Sequence, residues 1–266
     1  MYQADFHIHC SYSGDSDTPM EEIVQQAIRM GLDEIAFTDH VDFGYADPAF
    51  ESIPYDEYIP YFESLKEKYQ AKIKLTLGVE MGYQTSEHAR IQDFLNRYAL
   101  DFVILSRHMS ENKDYYTGEF FEGYDQPTAY RHYFESVLRS VQQQHNYDVF
   151  GHLDVIVRYG PFEHKKLFYA DYKDIVDEIL RTIIQDGHGI EVNTSGFRYG
   201  LGHMHPQVDF LKRYHELGGK IVTLGSDSHN AFDIHDHLPQ MQELLKTLGF
   251  EAFATYEKRQ PIFHKL

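Results

Sequence analysis

Eight side chains of metal-ligating type stand out along the chain: His7, His9, His40, Glu80, His108, His152, Asp227 and His229. Imidazole and carboxylate donors together suit Zn²⁺, Mn²⁺ or Fe²⁺ rather than Ca²⁺. In His7-Ile8-His9 the two imidazoles are separated by one residue, so on a strand both face the same side and reach one cation. Asp227-Ser228-His229 repeats that spacing. An isolated histidine is more often a surface or satisfied core residue than a ligand, so the placement of the whole set has to decide.

The elements that carry these residues alternate regularly. Ala4–His9 reads as a strand, and positions 19–30 have helical spacing that ends at Gly31. Further strands are expected at 34–38, 73–79, 101–105, 148–150, 189–192 and 220–224, and helices near 55–70, 86–98, 127–145, 171–186, 206–217 and 237–248. A last β-like run covers 252–256. Strict strand–helix alternation demands a parallel sheet, open or closed into a barrel. No linker, low-complexity tract or repeat divides the chain, so one domain over 1–266 is expected.

On this map the ligand-type residues share one place. His7 and His9 end strand one, His40 follows strand two, and Glu80 ends strand three. His108 lies past strand four, His152 past strand five, and Asp227 and His229 past strand seven. The C-terminal strand ends are the active face of parallel βα barrels. Buried ionisable groups are costly unless paired or bound to cations, and a shared metal cluster removes that cost for all of them together. His203-Met204-His205 and His235-Asp236-His237 do not sit directly at strand ends and stay outside this set.

The formal net charge of −18 disfavours nucleic acid as a partner and agrees with a protein that binds several cations. One cysteine, Cys10, excludes an internal disulfide. No apolar run spans a bilayer, and Tyr2–Phe6 lacks the basic and apolar regions of a secretory signal, so a cytoplasmic protein without membrane partners is expected.

Taken together, the segments Phe6–His9, Phe37–Phe43, Gly78–Glu80, Ser106–His108, Gly151–Gly160, Glu191–Arg198 and Gly225–His229 resemble the polymerase-and-histidinol-phosphatase (PHP) family. Within it, Gly151–Gly160 and Glu191–Arg198 resemble the histidinol-phosphatase branch. The resemblance implies a distorted (βα)7 barrel, related to the TIM barrel, with three divalent ions (Zn, Mn or Fe). One would be held by His7, His9, Glu80 and Asp227. A second would share Glu80 with His108 and His152. A third would take His40, His229 and a residue of the first loop, where many relatives have histidine and this chain offers Asp15.

The activity implied is hydrolysis of a phosphate monoester, L-histidinol phosphate in particular, by a metal-bridging hydroxide. Arg158, Arg198 and then Arg107 are the candidate phosphate clamps, Asp42 and Glu119 candidate partners of a cationic substrate, and Asp227 or His229 a proton source for the leaving alkoxide. Tyr115, Tyr116, Phe120, Phe121 and Tyr124 form a lid or pack beneath the rim. The alternatives are a PHP phosphoesterase for a nucleotide or phosphotyrosine, and an amidohydrolase-type C–N hydrolase. The latter typically bridges its metals with a lysine after strand four, and none lies between Asp101 and His108.

Overall fold

Seven short runs rich in β-branched and aliphatic residues become parallel strands buried on both faces, as strands enclosed by helices must be. They are β1 (Ala4–Ile8), β2 (Glu34–Phe37), β3 (Lys74–Gly82), β4 (Phe102–Ser106), β5 (Val149–Phe150), β6 (Gly189–Asn193) and β7 (Val222–Gly225). The structure, a computed structural model, describes residues 1–51 and 53–266. Neighbours in the sheet follow chain order, with Phe37 beside Leu77, Gly78 beside Phe102, and Phe150 beside Ile190. The ring closes where the Asp227 N–H donates to the His7 carbonyl (2.9 Å) and the His9 N–H to that of Ser228 (2.8 Å). Buried Asp5 stitches the same seam, accepting from the Ser226 and His235 N–H groups at 2.9 and 2.7 Å.

The helices outside the ring are α1 (Met20–Met30), α2 (Tyr55–Tyr69), α3 (His88–Arg97), α4 (Gln126–Gln143), α5 (Lys173–Gln185), α6 (Val208–Glu216) and α7 (Leu238–Thr247). In α1, Met20, Ile23, Val24 and Ala27 form the buried stripe, acidic residues occupy the first turn, and left-handed Gly31 (φ 76°) ends the helix. Asp125 caps α4 by accepting from the Thr128 N–H (3.0 Å), with Pro127 in the first turn.

Two expectations change. Strand three does not stop at Val79: it runs to Gly82, because His40–Val41 pairs with Glu80–Met81 and extends the sheet. Glu80 therefore sits on rigid strand, not on a loop. The last β-run is half of an antiparallel hairpin, β8 (Ala252–Glu257) with β9 (Gln260–Lys265). Its two-residue turn, Lys258-Arg259, has positive φ at both positions (49° and 64°). Neither residue is a typical left-handed turn former, which hides the hairpin from a sequence reading.

Arg259 clips this turn to the barrel. Its Nε donates to buried Asp148 (2.7 Å) and its Nη1 to Asn146 (3.0 Å). Burial pushes the Asp148 carboxyl up to about 6, against the opposing pull of Arg259 and the Val103 N–H. Arg259→Ala is expected to cost about 2 kcal/mol near neutral pH, read by urea unfolding. Asp148 keeps its proton in the folded state up to about pH 6, so the lost ion pair matters less below that. The deficit should grow between about pH 5 and pH 8, and a pH-independent deficit would contradict this.

Candidate metal centre and substrate cavity

Glu80, wholly buried, is the hub of the strand-end cluster. Its Oε2 lies 3.1 Å from His7 Nε2, 3.4 Å from His9 Nε2 and 3.1 Å from His40 Nδ1. Its Oε1 lies 3.2 Å from His108 Nε2 and 2.7 Å from His152 Nε2. Asp227 Oδ1 completes the first group at 3.4 Å from His9 Nε2 and 3.7 Å from His7 Nε2. Asp15 Oδ2 joins His229 Nε2 (2.9 Å) to His40 Nε2 (3.6 Å). All nine ligand candidates thus converge on one end of the barrel, but the nearest donors do not sort into the three sets that the family resemblance implies: His9 clusters with His40 and His229 as well as with His7 and Glu80, and His40 with Glu80 and His108.

These spacings fit ions. A tetrahedral site with ligands about 2.0–2.1 Å from the metal has ligand–ligand edges of about 3.3–3.4 Å. The His7, His9, Glu80 and Asp227 distances bracket that value. Against burial, the neighbouring carboxylates push His7, His40 and His108 well up, so that without an ion these histidines pair with the carboxylates as cations; His9 does not fit that pattern. His9 stacks on His40 and His229 with ring centroids 4.3 and 4.2 Å apart, and charged rings would repel there. Burial, with His229 and His40 alongside, pushes His9 down to about 3, so its imidazole is neutral and free to ligate. Its Nε2 and His40 Nδ1 are buried with no hydrogen-bond partner among the described residues. Burial works against charge on Glu80 and Asp227, yet the surrounding histidines hold both carboxyls well below their usual range.

Two carboxylates outside the ligand set orient it. Glu191 Oε1 lies 2.6 Å from His7 Nδ1, and its Oε2 accepts from the His152 N–H (2.8 Å). Asp42 Oδ1 lies 2.6 Å from His108 Nδ1. Each fixes the tautomer that turns Nε2 toward Glu80. Asp42 thus holds His108 through one oxygen and also lines the cavity, where a substrate contact is expected of it. Glu191 was visible at the end of strand six but has no ligand spacing to mark it; its role appears only when β6 is set beside β7 and β1. Gly225 permits this approach, since a Cβ there would lie 2.3 Å from Glu191 Oε1. Glu191→Gln is expected to weaken metal binding by about 10–100-fold with the fold intact. Competition with a chromophoric chelator measures this, and unchanged affinity would exclude the orienting role.

Two ligands also leave their strands in left-handed backbone: His152 (φ 23°) and Asp227 (φ 54°). Such conformations are uncommon outside glycine and cluster at functional sites. Arg198 supports the second, its Nη2 donating to the Ser226 and Asp227 carbonyls at 3.0 and 2.7 Å.

A cavity of about 550 Å³ opens over the cluster. Asp15, His40, Glu80, His108, His152, Asp227 and His229 reach it from the floor. Its walls include Tyr45, Phe50, Tyr116, Tyr159 and Tyr199, with Asp47 and Asp114. Among the described residues, Arg158 is the arginine that lines it; the guanidinium stacks on Tyr199, 3.4 Å from the ring centre, with Nη1 3.7 Å from Asp227 Oδ2. Arg198 instead holds the carbonyls of Ser226 and Asp227. Arg107 is buried off the cavity, donating to Ser140 and Ser110 hydroxyls at 3.1 and 3.0 Å. Glu119 is exposed on a short 3₁₀ turn away from the cavity. The aromatic loop divides: Tyr115, Phe120 and Phe121 are core, Tyr124 is half-buried, and exposed Tyr116 lines the cavity. His235 and His237 lie off it, the latter stacked on Phe197.

A closed parallel barrel with a histidine–carboxylate cluster at its strand ends defines a metal-ligating α/β barrel protein. The PHP domain model matches residues 5–195, and the chain belongs to the PHP domain family. It is 35% identical over 257 residues to a histidinol-phosphatase of Lactococcus lactis subsp. lactis, covering 96% of this chain and 95% of the relative. It is 29% identical over 227 residues to a probable histidinol-phosphatase of Clostridium acetobutylicum, with 85% and 86% covered. Its fold matches the crystal structure of the histidinol phosphate phosphatase from Lactococcus lactis complexed with zinc, L-histidinol and phosphate. That match has a TM-score of 0.90 at 34% identity and covers 98% of each chain. A putative histidinol phosphatase from Listeria monocytogenes shares the fold at TM-score 0.73 and 21% identity.

Proposed function

We propose that this protein hydrolyses L-histidinol phosphate to L-histidinol and phosphate, as a cytoplasmic enzyme of histidine biosynthesis using three divalent ions. The observation that carries the reading is the cavity itself. A floor of metal ligands and one arginine lie under aromatic and acidic walls, in a chain similar over nearly its full length to a histidinol-phosphatase.

His7, His9, Asp15, His40, Glu80, His108, His152, Asp227 and His229 would hold divalent ions, which when bound would supply a nucleophilic oxygen near neutral pH and offset phosphoryl charge. The rest falls to side chains. Arg158, stacked on Tyr199, grips a phosphoryl oxygen. Asp227 or His229, both facing the cavity, would deliver a proton to the departing alkoxide, Asp227 by orienting water because its carboxyl is held ionised. The acidic and aromatic walls attract an ammonium and an imidazole by charge and by ring-face contact. They offer no charge complement to the neutral sugar and base of a nucleoside monophosphate, and they repel a polyanion such as nucleic acid. No helix among the described residues is long and apolar enough to cross a membrane.

The test is kcat/KM of the metal-reconstituted protein for L-histidinol phosphate, a nucleoside monophosphate, phosphotyrosine and p-nitrophenyl phosphate. L-Histidinol phosphate should lead by at least about 10²-fold, the scale of recognition by several buried polar contacts. Equal values across the panel would defeat the assignment.

A further inference from the structure

Among the described residues, three histidines are within a hydrogen bond of a buried carboxylate through Nδ1: His7 on Glu191 (2.6 Å), His108 on Asp42 (2.6 Å) and His205 on Asp154 (2.5 Å). In the first two, the arrangement directs Nε2 at the metal centre. The third lies outside it. His205 and Asp154 are wholly buried, and His205 Nε2 has no hydrogen-bond partner among the described residues. A buried imidazole nitrogen left bare costs free energy unless something binds it.

Half-buried His203 stands beside it, the rings 5.8 Å apart and nearly perpendicular. One donor atom each of Asp154, His203 and His205 lies within 4.8 Å of the other two. His203 Nδ1 is 2.9 Å from the Met204 carbonyl, which makes it the N–H nitrogen and leaves the lone pair on Nε2. The surroundings are rigid. Asn193 and His205 exchange two backbone hydrogen bonds of 2.7 Å, and Asp154 Oδ2 accepts from the Gln207 N–H (2.9 Å). Gly196 leaves no room for a Cβ, which would lie 2.1 Å from the His203 carbonyl.

We propose that the Nε2 atoms of His203 and His205, with Asp154 orienting His205 through Nδ1, form a further divalent-metal site, separate from the cluster around Glu80. Paired imidazoles select a borderline cation of the Zn²⁺ class. The ion fastens the segment after Tyr199, which stacks on Arg158, to His205 and, through it, to Asp154, two residues beyond His152. Its role is structural, because neither imidazole nor Asp154 lines the substrate cavity.

The test uses the full chain without a tag, dialysed to equilibrium against excess free Zn²⁺ and then assayed for metal per chain. His203→Ala, on a half-buried loop, should hold about one Zn²⁺ fewer than the parent, retain phosphate release, and gain less thermal stability from Zn²⁺. His205→Gln should lose the same equivalent. Should His205→Gln fail to fold, His203→Ala decides alone. Equal Zn²⁺ content in His203→Ala and the parent overturns the proposal and leaves His205 Nε2 to a buried water. The count is independent of substrate, so it stands or falls separately from the histidinol phosphate assignment.

Discussion

Glu80→Gln is expected to reduce turnover of L-histidinol phosphate by at least about 10³-fold, the scale of losing metal activation of the nucleophile. The substitution keeps size and shape, so no cavity forms in the core. What changes is the donor set. Glu80 presents one oxygen to His7, His9 and His40 and the other to His108 and His152. An amide retains one of those oxygens and replaces the other with a nitrogen that cannot ligate. Metal content should fall together with activity, while the circular dichroism spectrum stays that of the parent. Near-normal turnover in a folded Glu80→Gln protein would remove the shared-carboxylate account.

The second large effect separates two arginines that the sequence ranks together. Arg158→Met should lower kcat/KM by about 10²–10³-fold, because it removes a preorganised cation facing the phosphoryl site. The loss should be similar for L-histidinol phosphate and p-nitrophenyl phosphate, whose common part is the phosphate. Arg198→Met should act first on stability, by about 1–3 kcal/mol, through the Ser226 and Asp227 carbonyls it leaves without their donor. Steady-state kinetics with both esters and thermal melts of both variants distinguish the roles. If Arg158→Met keeps its kcat/KM, the clamp lies elsewhere.

The barrel was legible because strand and helix periodicities differ and alternate without interruption. The converging histidines and carboxylates, Asp15 in the first loop apart, were legible because each stands at or just past the same end of its strand. What stayed hidden depends on which segments become neighbours. Glu191 orients His7 only because β6 lies against β7, which closes on β1. Asp42 reaches His108 from a loop distant in sequence. Arg107 turns inward because Ser110 and Ser140 capture it, a choice that spacing does not encode. The cavity walls come from separate loops: Tyr45 and Phe50 after β2, Tyr116 after β4, Tyr159 after β5 and Tyr199 after β6. The Lys258-Arg259 turn uses residue types that rarely signal left-handed backbone, and at His152 and Asp227 that geometry is one option among several for the residue type. The paired histidines 203 and 205 were set aside for lacking a strand end. His205 in fact pairs through its backbone with Asn193, the last residue of β6.

One measurement bears most directly on the claim that the converging histidines and carboxylates form a hydrolytic metal centre. Phosphate release from L-histidinol phosphate is followed before and after the protein is stripped with a chelator, with metal content verified, and again after Zn²⁺, Mn²⁺ or Fe²⁺ is returned. The stripped protein should remain folded and release no phosphate, and a returned cation should restore turnover. Undiminished turnover by the verified metal-free protein would contradict the account.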